Sequence, residues 1–134
     1  MLPRHSIVGA ALAGASLAAQ AHHSIAAVYD SARQQRLEAV VAEFQFVNPH
    51  PFVIVNVQVN GTEESWRLEM DNRFELADVG ITDTTLKPGD RVVVTGSLGR
   101  IEPRTLYIRQ LDRPADGFRY EQVGSRPRVS TTRR

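Results

Sequence analysis

Alternating apolar and polar positions recur between residues 37 and 112, and this period of two predicts β-strands. The clearest run is residues 53–59, where valine occupies every second position. Asn60-Gly61 follows directly, a pair that favours a two-residue hairpin turn. Residues 65–70 alternate again, with Trp66 and Met70 on the same face. These runs predict two antiparallel strands joined by a tight turn.

The preceding apolar run changes parity along its length. Leu37, Ala39 and Val41 share one parity, whereas Phe44 and Phe46 share the other. One extra residue in a strand shifts the inward face in this way, which is the signature of a β-bulge. We therefore expect a long, bulged first strand that lets the sheet coil.

The elements after the third strand complete the fold prediction. Asp71 or Asn72 can cap a short helix that ends at Gly80, and further strands are predicted at residues 91–96 and 105–111. Three strands, a helix and two strands is the element order of the OB-fold. The sequence predicts an all-β protein with one short helix, folded as a small five-stranded OB-like Greek-key barrel. An open β-sandwich is the main alternative.

The first 21 residues have the features of an export signal. Arg4 precedes an apolar and small-residue run, and Ala19-Gln20-Ala21 fits a signal-peptidase site. We expect cleavage after Ala21 and a periplasmic or secreted protein without stable membrane insertion. An uncleaved anchor is the alternative, and it would convert the amine of His22 into an amide.

The rest of the chain divides into three predicted segments. Residues 22–36 form an N-terminal arm, and residues 37–112 form the barrel domain. Residues 113–134 contain six arginines against Asp116 and Glu121. Because the apolar pattern fades there, we expect an Arg-rich mobile tail, solvated rather than bound to an acidic partner.

Composition excludes several kinds of chemistry. The chain has no cysteine, which excludes disulfides, thiolate zinc sites and thiol nucleophiles. The predicted signal contains one of the 16 basic residues, so its removal leaves 15 basic and 15 acidic residues. This balance does not indicate nucleic-acid binding. Ser24, His23 and Asp30 share one arm with no rigid support, so we expect no catalytic residues and no enzyme.

Histidine provides the sharpest functional hypothesis. His50 lies between Pro49 and Pro51, in a turn that joins the first two strands. Signal cleavage would make His22 the first residue, followed by His23. Imidazole and amine nitrogens suit Cu(II), so we predict that His22, His23 and His50 hold a divalent, copper-type ion.

Two modes of coordination remain open. The amine and imidazole of His22 can chelate one metal ion while the imidazole of His50 completes a T-shaped site. Alternatively, His23 can bind together with the amine and the intervening amide nitrogen, which leaves His22 free. The three-histidine site requires the fold to bring the terminus to the proline-flanked loop, because about 26 residues separate His23 from His50.

A metal-free adaptor is the alternative function. OB barrels bind ligands on the face of strands 2 and 3 and against neighbouring loops. The corresponding predicted ligand-binding residues for a peptide, glycan or protein partner are Phe52, Ile54, Asn56 and Trp66. A Cu(I) site at Trp66 and Met70 is less favoured, because such a stripe on a strand is typical of a core.

Several short motifs together resemble one protein family. They are Ala21-His22-His23-Ser24, Tyr29-Asp30, Asn48-Pro49-His50, Trp66, Leu86-Lys87-Pro88-Gly89-Asp90 and Val94-Thr95-Gly96. The chain resembles, over roughly residues 21–112, a family of small exported bacterial proteins called domain of unknown function 6152. The resemblance implies export and a small barrel, and it implies no mechanism. Tyr29 and Met70 depart from the residue types expected of the family at those positions, and neither is a candidate ligand.

Overall fold

The computed structural model describes residues 25–132. Seven strands and one helix follow a single helical turn at residues 25–28. In chain order they are β1 Tyr29–Gln45, β2 Phe52–Val59, β3 Thr62–Glu69, α1 Arg73–Asp78, β4 Arg91–Gly99, β5 Thr105–Arg113, β6 Phe118–Val123 and β7 Arg126–Thr131. The predicted all-β class is confirmed.

The strands form one sheet with the order β3-β2-β1-β4-β5-β6-β7. The first five of these strands also curl into a partly closed ring, because β3 pairs in parallel with β5 at residues 67–69 and 105–107. This ring has the strand order expected of an OB-like barrel. The closing seam covers only three residue pairs, and β6 and β7 extend the sheet beyond it. The described sheet therefore has seven strands where the sequence predicted five.

The predicted bulge in β1 is confirmed. The pairing of β1 with β2 shifts between Val41 and Glu43, so Ala42 is the extra residue. Val41 on the N-terminal side is buried, and Phe44 and Phe46 on the C-terminal side pack against the core. A bulge increases local twist, and here it accompanies a first strand that pairs with both β2 and β4.

The core lies inside this curled sheet and is closed by α1 and β6. Valine alternation in β2 holds as predicted, with Val53, Val55 and Val57 buried. The largest fully buried side chains come from six strands, from α1 and from the segments that flank it, and they are Val41, Val53, Val55, Leu68, Met70, Leu76, Ile81, Val94, Leu106, Ile108, Leu111 and Tyr120.

The short helix begins as the sequence predicted. The Asn72 side chain accepts a hydrogen bond from the Phe74 amide at 2.8 Å, which makes Asn72 the N-cap. Leu76 is its buried residue, and Gly80 follows with a positive φ of 91°. α1 is therefore held directly after β3, beside the loop that joins β1 to β2.

The ends of the described chain differ from the sequence prediction. From Tyr29 onward, the segment predicted as an arm pairs with β4, with an irregularity between Asp30 and Gln34. The segment predicted as a mobile tail contains β6 and β7, and Tyr120 of β6 is completely buried. Strand pairing and burial of this aromatic ring fix the hairpin despite its many arginines.

Among residues 25–132, no helix is both long enough and apolar enough to span a bilayer.

Candidate functional site beside His50

His50 is held in a defined orientation by the backbone of the next segment. Its Nδ1 lies 3.0 Å from the Met70 carbonyl oxygen, and its side chain is 15% exposed. A carbonyl oxygen can only accept a hydrogen bond, so Nδ1 carries the hydrogen in this contact. In the neutral ring, Nε2 then keeps its lone pair. Histidines that bind metals are commonly oriented in this way.

Backbone hydrogen bonds fix the loop that carries His50. The Met70 amide donates to the Pro51 carbonyl at 2.8 Å, and the Arg73 amide donates to the Pro49 carbonyl at 3.1 Å. The Arg73 guanidinium also donates to the Phe46 carbonyl at 3.0 Å. The Asn48–Pro49 peptide bond is cis. The loop between β1 and β2 is therefore joined to the start of α1 rather than projecting freely.

A cavity of about 300 Å³ opens beside His50. Five parts of the chain surround it: the start of the described residues, the loop that carries His50, the start of α1, β5, and the end of β6 with the turn that follows it. Its lining residues are Ile25, Ala26, His50, Asp71, Asn72, Glu75, Tyr107, Arg109, Gln122, Gly124 and Ser125. The cavity thus joins the proline-flanked loop to the beginning of the described chain.

The beginning of the described chain is fixed against the loop between β4 and β5. The Arg100 side chain donates to the Ala26 carbonyl at 3.0 Å, and the Arg100 amide donates to the Val28 carbonyl at 2.8 Å. Tyr29 follows, and its ring lies 5.7 Å from that of Tyr107. These contacts hold residues 26–29 close to the wall of the cavity.

Two carboxylates near His50 accept hydrogen bonds from other elements. The Tyr29 hydroxyl donates to Glu69 Oε2 at 2.5 Å, while Glu69 Oε1 lies 3.9 Å from His50 Nδ1. Asp71 Oδ2 accepts from Gln122 Nε2 at 2.5 Å. The Tyr120 hydroxyl donates to the Gln122 side-chain oxygen at 2.8 Å. These bonds link β1, β3, β6 and the start of α1 around the cavity.

Burial changes the acidity of the aromatic hydroxyls in this region. Desolvation raises the pKa of Tyr29, and its hydrogen bond to Glu69 raises it further. Desolvation also raises the pKa of Tyr107 and of Tyr120, with Asp71 adding to both shifts. All three tyrosines therefore stay neutral at ordinary pH and serve as hydrogen-bond donors or ring contacts.

Arg109 contributes positive charge to the cavity. Its guanidinium carbon lies 4.9 Å from the centre of the Tyr107 ring, and its Nε donates to Ser97 Oγ at 3.4 Å. Ser97 is completely buried and also accepts from the Gln34 side chain at 2.9 Å. The face of the Arg109 guanidinium therefore contacts the Tyr107 ring, and its Nε contacts the Ser97 hydroxyl.

Of the three predicted metal ligands, only His50 lies within the part of the chain that the structure describes. His22 and His23 lie outside the described residues, and His50 lines the cavity together with Ile25 and Ala26. Among residues 25–132, no group of three or more histidine, aspartate and glutamate side chains is arranged to hold a metal ion. Sequence reasoning missed Asp71, Arg109 and Gln122 because they come from separate elements that only the fold brings together.

The predicted ligand-binding residues do not share one face. Phe52, Ile54 and Asn56 lie on the outer side of β2, whereas Trp66 is paired with Val55 and packs against the core. The Phe52 ring is covered by the Arg67 guanidinium at 3.8 Å. Asn56 borders a separate shallow groove. Side-chain alternation separates Trp66 from the other three residues.

A larger groove of about 740 Å³ runs along the turn between β5 and β6. Its charged groups pair with one another or with a nearby carboxylate. Arg113 lies 2.8 Å from both Asp90 and Asp116, and Arg119 lies 2.6 Å from Asp112. These pairs neutralise the groove, so the smaller cavity beside His50 is the better candidate site.

Fold and sequence together define the class of the protein. It is a small all-β protein with an OB-like strand order and a cavity beside a loop histidine. The chain belongs to the Family of unknown function (DUF6152), whose model matches residues 10–105. This confirms the resemblance found in the sequence. A search of curated proteins found no match.

Proposed function

We propose that this chain is exported, begins at His22 after processing, and binds a divalent copper-type ion in the cavity beside His50. The imidazole Nε2 of His50 is one ligand. The amine and imidazole nitrogens of the His22-His23 terminus supply the others. The protein acts as a binding module, and the metal is its ligand rather than part of a catalytic site.

The observation that carries this proposal is the orientation of His50. Its Nδ1 donates to the Met70 carbonyl, so in the neutral ring Nε2 is the nitrogen with a lone pair. The loop around it is fixed by hydrogen bonds from Met70 and Arg73. A metal ion would therefore meet a ligand that is already oriented, with little conformational entropy left to lose.

Chain connectivity supports the participation of the terminus. Ile25 and Ala26 line the same cavity as His50, and Arg100 anchors Ala26. Each residue spans at most about 3.6 Å, so His23 is within about 7 Å of Ile25 along the chain. The sequence separation between the terminus and the loop is thus no obstacle to convergence.

The charge of the cavity also favours a cation. Asp71 and Glu75 line it, with Arg109 as the opposing charge. Nitrogen ligands in a planar arrangement favour Cu(II) among the common divalent ions. An α-amino group titrates near pH ~8, so a metal ion displaces its proton at small cost at neutral pH.

Calorimetric titration with Cu(II) tests this proposal. The first protein should begin at His22, and the second should carry one additional leading residue, which converts the amine of His22 into an amide. We expect the extended protein to bind Cu(II) at least about tenfold more weakly, because it loses a ligand. Equal and weak binding by the two proteins would contradict the proposal and favour a metal-free adaptor.

A pair of variants separates the cavity from the outer face of β2. His50→Ala should weaken Cu(II) binding by at least about tenfold. Asn56→Ala is the matched control, because Asn56 lies outside the cavity and should leave the affinity unchanged. Unchanged affinity in His50→Ala would remove His50 from the site.

A further inference from the structure

The strand β7 is an open edge of the described sheet. It pairs with β6 along its whole length, and among residues 25–132 no strand pairs with its other side. The seam between β3 and β5 closes the first five strands and leaves this edge outside the ring. An open edge presents unpaired backbone N–H and C=O groups, so it can accept another strand.

Pro127 shows which backbone groups of β7 face outward. Opposite residues in an antiparallel pair alternate between exchanging two hydrogen bonds and exchanging none. Pro127 has no N–H, so its pair with Gln122 is of the second kind. The Thr132 amide donates to the Gly117 carbonyl at 3.1 Å, which gives the same alternation from the other end of the strand.

The open edge therefore presents donors at Val129 and Thr131. Both share the parity of Pro127, so their N–H and C=O groups point away from β6. Arg128 and Ser130 have the other parity, and their backbone groups face β6. An incoming strand can thus exchange hydrogen bonds with Val129 and Thr131, whereas Pro127 can only accept.

The side chains of β7 form one basic face and one apolar face. Arg126 and Arg128 are exposed on the first, and the strand contains no acidic residue. Pro127 is buried on the second, where Val129 packs against the core. Glu121 of β6 lies 3.6 Å from Arg128, whose side chain is still 64% exposed. Such exposed ion pairs contribute little free energy, so Arg128 can also contact a carboxylate on its open side.

We infer that the open edge of β7 binds an extended acidic segment of another protein, which adds to the sheet as a further strand. The carboxylates of this segment lie beside Arg126 and Arg128. Its alternate residues are apolar and continue the face formed by Pro127 and Val129. The metal ion proposed beside His50 takes no part in this contact.

Charge distinguishes this partner from a second copy of the chain. Opposite charges on neighbouring strands stabilise their pairing, and like charges destabilise it. Two copies joined through β7 would bring Arg126 and Arg128 of both chains onto one face. An acidic strand brings carboxylates there instead, while the backbone hydrogen bonds of strand addition are the same.

A short peptide of alternating glutamate and valine, blocked at both ends, is the probe for this inference. Amide hydrogen exchange should be measured by NMR in the protein with and without the peptide. In the protein alone, we expect slow exchange at Arg128 and Ser130 and fast exchange at Val129 and Thr131. The peptide should slow exchange at Val129 and Thr131. Unchanged exchange at those two amides would overturn the inference.

Charge is tested by a second peptide and by matched variants. A peptide with lysine in place of glutamate should bind at least about tenfold more weakly, and equal affinity for the two peptides would contradict an acidic partner. Arg126→Gln and Arg128→Gln should each weaken binding of the acidic peptide about two- to fivefold. Arg36→Gln is the control, since Arg36 is 59% exposed and pairs with Glu38 on β1. It should leave the affinity unchanged.

Val129→Pro tests the backbone contact separately from charge. It removes an outward N–H and leaves the hydrogen bonds to β6 in place. We expect it to weaken peptide binding by about fivefold, because one hydrogen bond is lost. Slow exchange at Arg128 and Ser130 shows that the hairpin of this variant is intact. Unchanged affinity in the intact variant would contradict strand addition.

Two results obtained without peptide would also overturn the inference. One is self-association in sedimentation velocity that Val129→Pro abolishes, because the edge would then bind a second copy. The other is slow exchange at Val129 and Thr131 in the monomer, because the chain itself would then cover the edge. We expect neither result.

Discussion

Gly96 shows how one residue controls the wall of the cavity. It lies in β4 at a shift in the pairing with β5. A Cβ built there would lie 2.1 Å from the Tyr107 carbonyl oxygen and 2.7 Å from the Leu106 side chain. Only glycine permits this approach between the two strands. Because Tyr107 lines the cavity, the contact at Gly96 also positions part of the candidate site.

Gly96→Ala should lower the free energy of unfolding by about 3 kcal/mol, because β4 and β5 must separate to accept the methyl group. Urea denaturation measures this change. Ser65→Ala is the control: Ser65 is exposed on β3, so its substitution should shift stability by no more than about 0.5 kcal/mol. Similar midpoints for Gly96→Ala and the unmodified protein would refute the close approach.

Sequence reasoning at this scale predicted His50 as a candidate ligand and Asn72 as a possible cap. Both depend on short-range chemistry: prolines flank one, and a helix follows the other. Arg109 could not be predicted in the same way. Its position beside the cavity depends on contacts with Tyr107 on the same strand and with Ser97 on the neighbouring strand, and alternation alone does not show these contacts.

The hairpin of β6 and β7 was not predicted from the sequence. Phe118, Tyr120 and Gln122 face inward, and Arg119 and Glu121 alternate with them. This period of two was present, but arginine content suggested a solvated tail. The hairpin supplies Tyr120 to the core and Gln122 to Asp71. It therefore supports both the barrel and the start of α1.

Tyr120→Ala should lower the free energy of unfolding by about 3–5 kcal/mol, because it removes a fully buried aromatic side chain. Val123→Ala on the same strand is the matched control, since Val123 is 50% exposed, and it should change stability by about 0.5 kcal/mol or less. Thermal denaturation of both variants makes the comparison. A small effect of Tyr120→Ala would show that the hairpin is not part of the cooperative fold.

At the scale of the whole molecule, the sequence predicted the order of the first five strands but not the extent of the sheet. Alternation, the Asn60-Gly61 turn and the change of parity after Val41 are local signals, and they located β1 to β5 and the bulge. The seam between β3 and β5 pairs segments that are far apart in sequence. The cavity depends on that seam and on the hairpin, so local patterns could not predict its lining.

The free energy of unfolding of the protein should also fall at alkaline pH. The chain has three tyrosines, they are 0–5% exposed, and burial raises the pKa of each. Above pH about 10, tyrosines in the unfolded chain lose their protons while those in the folded protein keep them. The unfolded state then binds fewer protons, so stability falls as pH rises.

The expected slope is about 1.4 kcal/mol per pH unit for each tyrosine, beginning near pH ~10. Urea denaturation at a series of alkaline pH values measures it, and Tyr29→Phe should reduce the slope by one such contribution. If stability is constant across that range, the hydroxyls are not desolvated as described.

In the proposed function, the mature terminus and His50 bind the same copper ion. Pulsed electron paramagnetic resonance of the Cu(II)-loaded protein beginning at His22 counts the bound imidazoles, because the remote nitrogen of each one modulates the echo. We predict that His50→Ala removes one imidazole from the count and that a leading extra residue changes the spectrum as well. An identical imidazole count in the unmodified protein and in His50→Ala would contradict the proposed site.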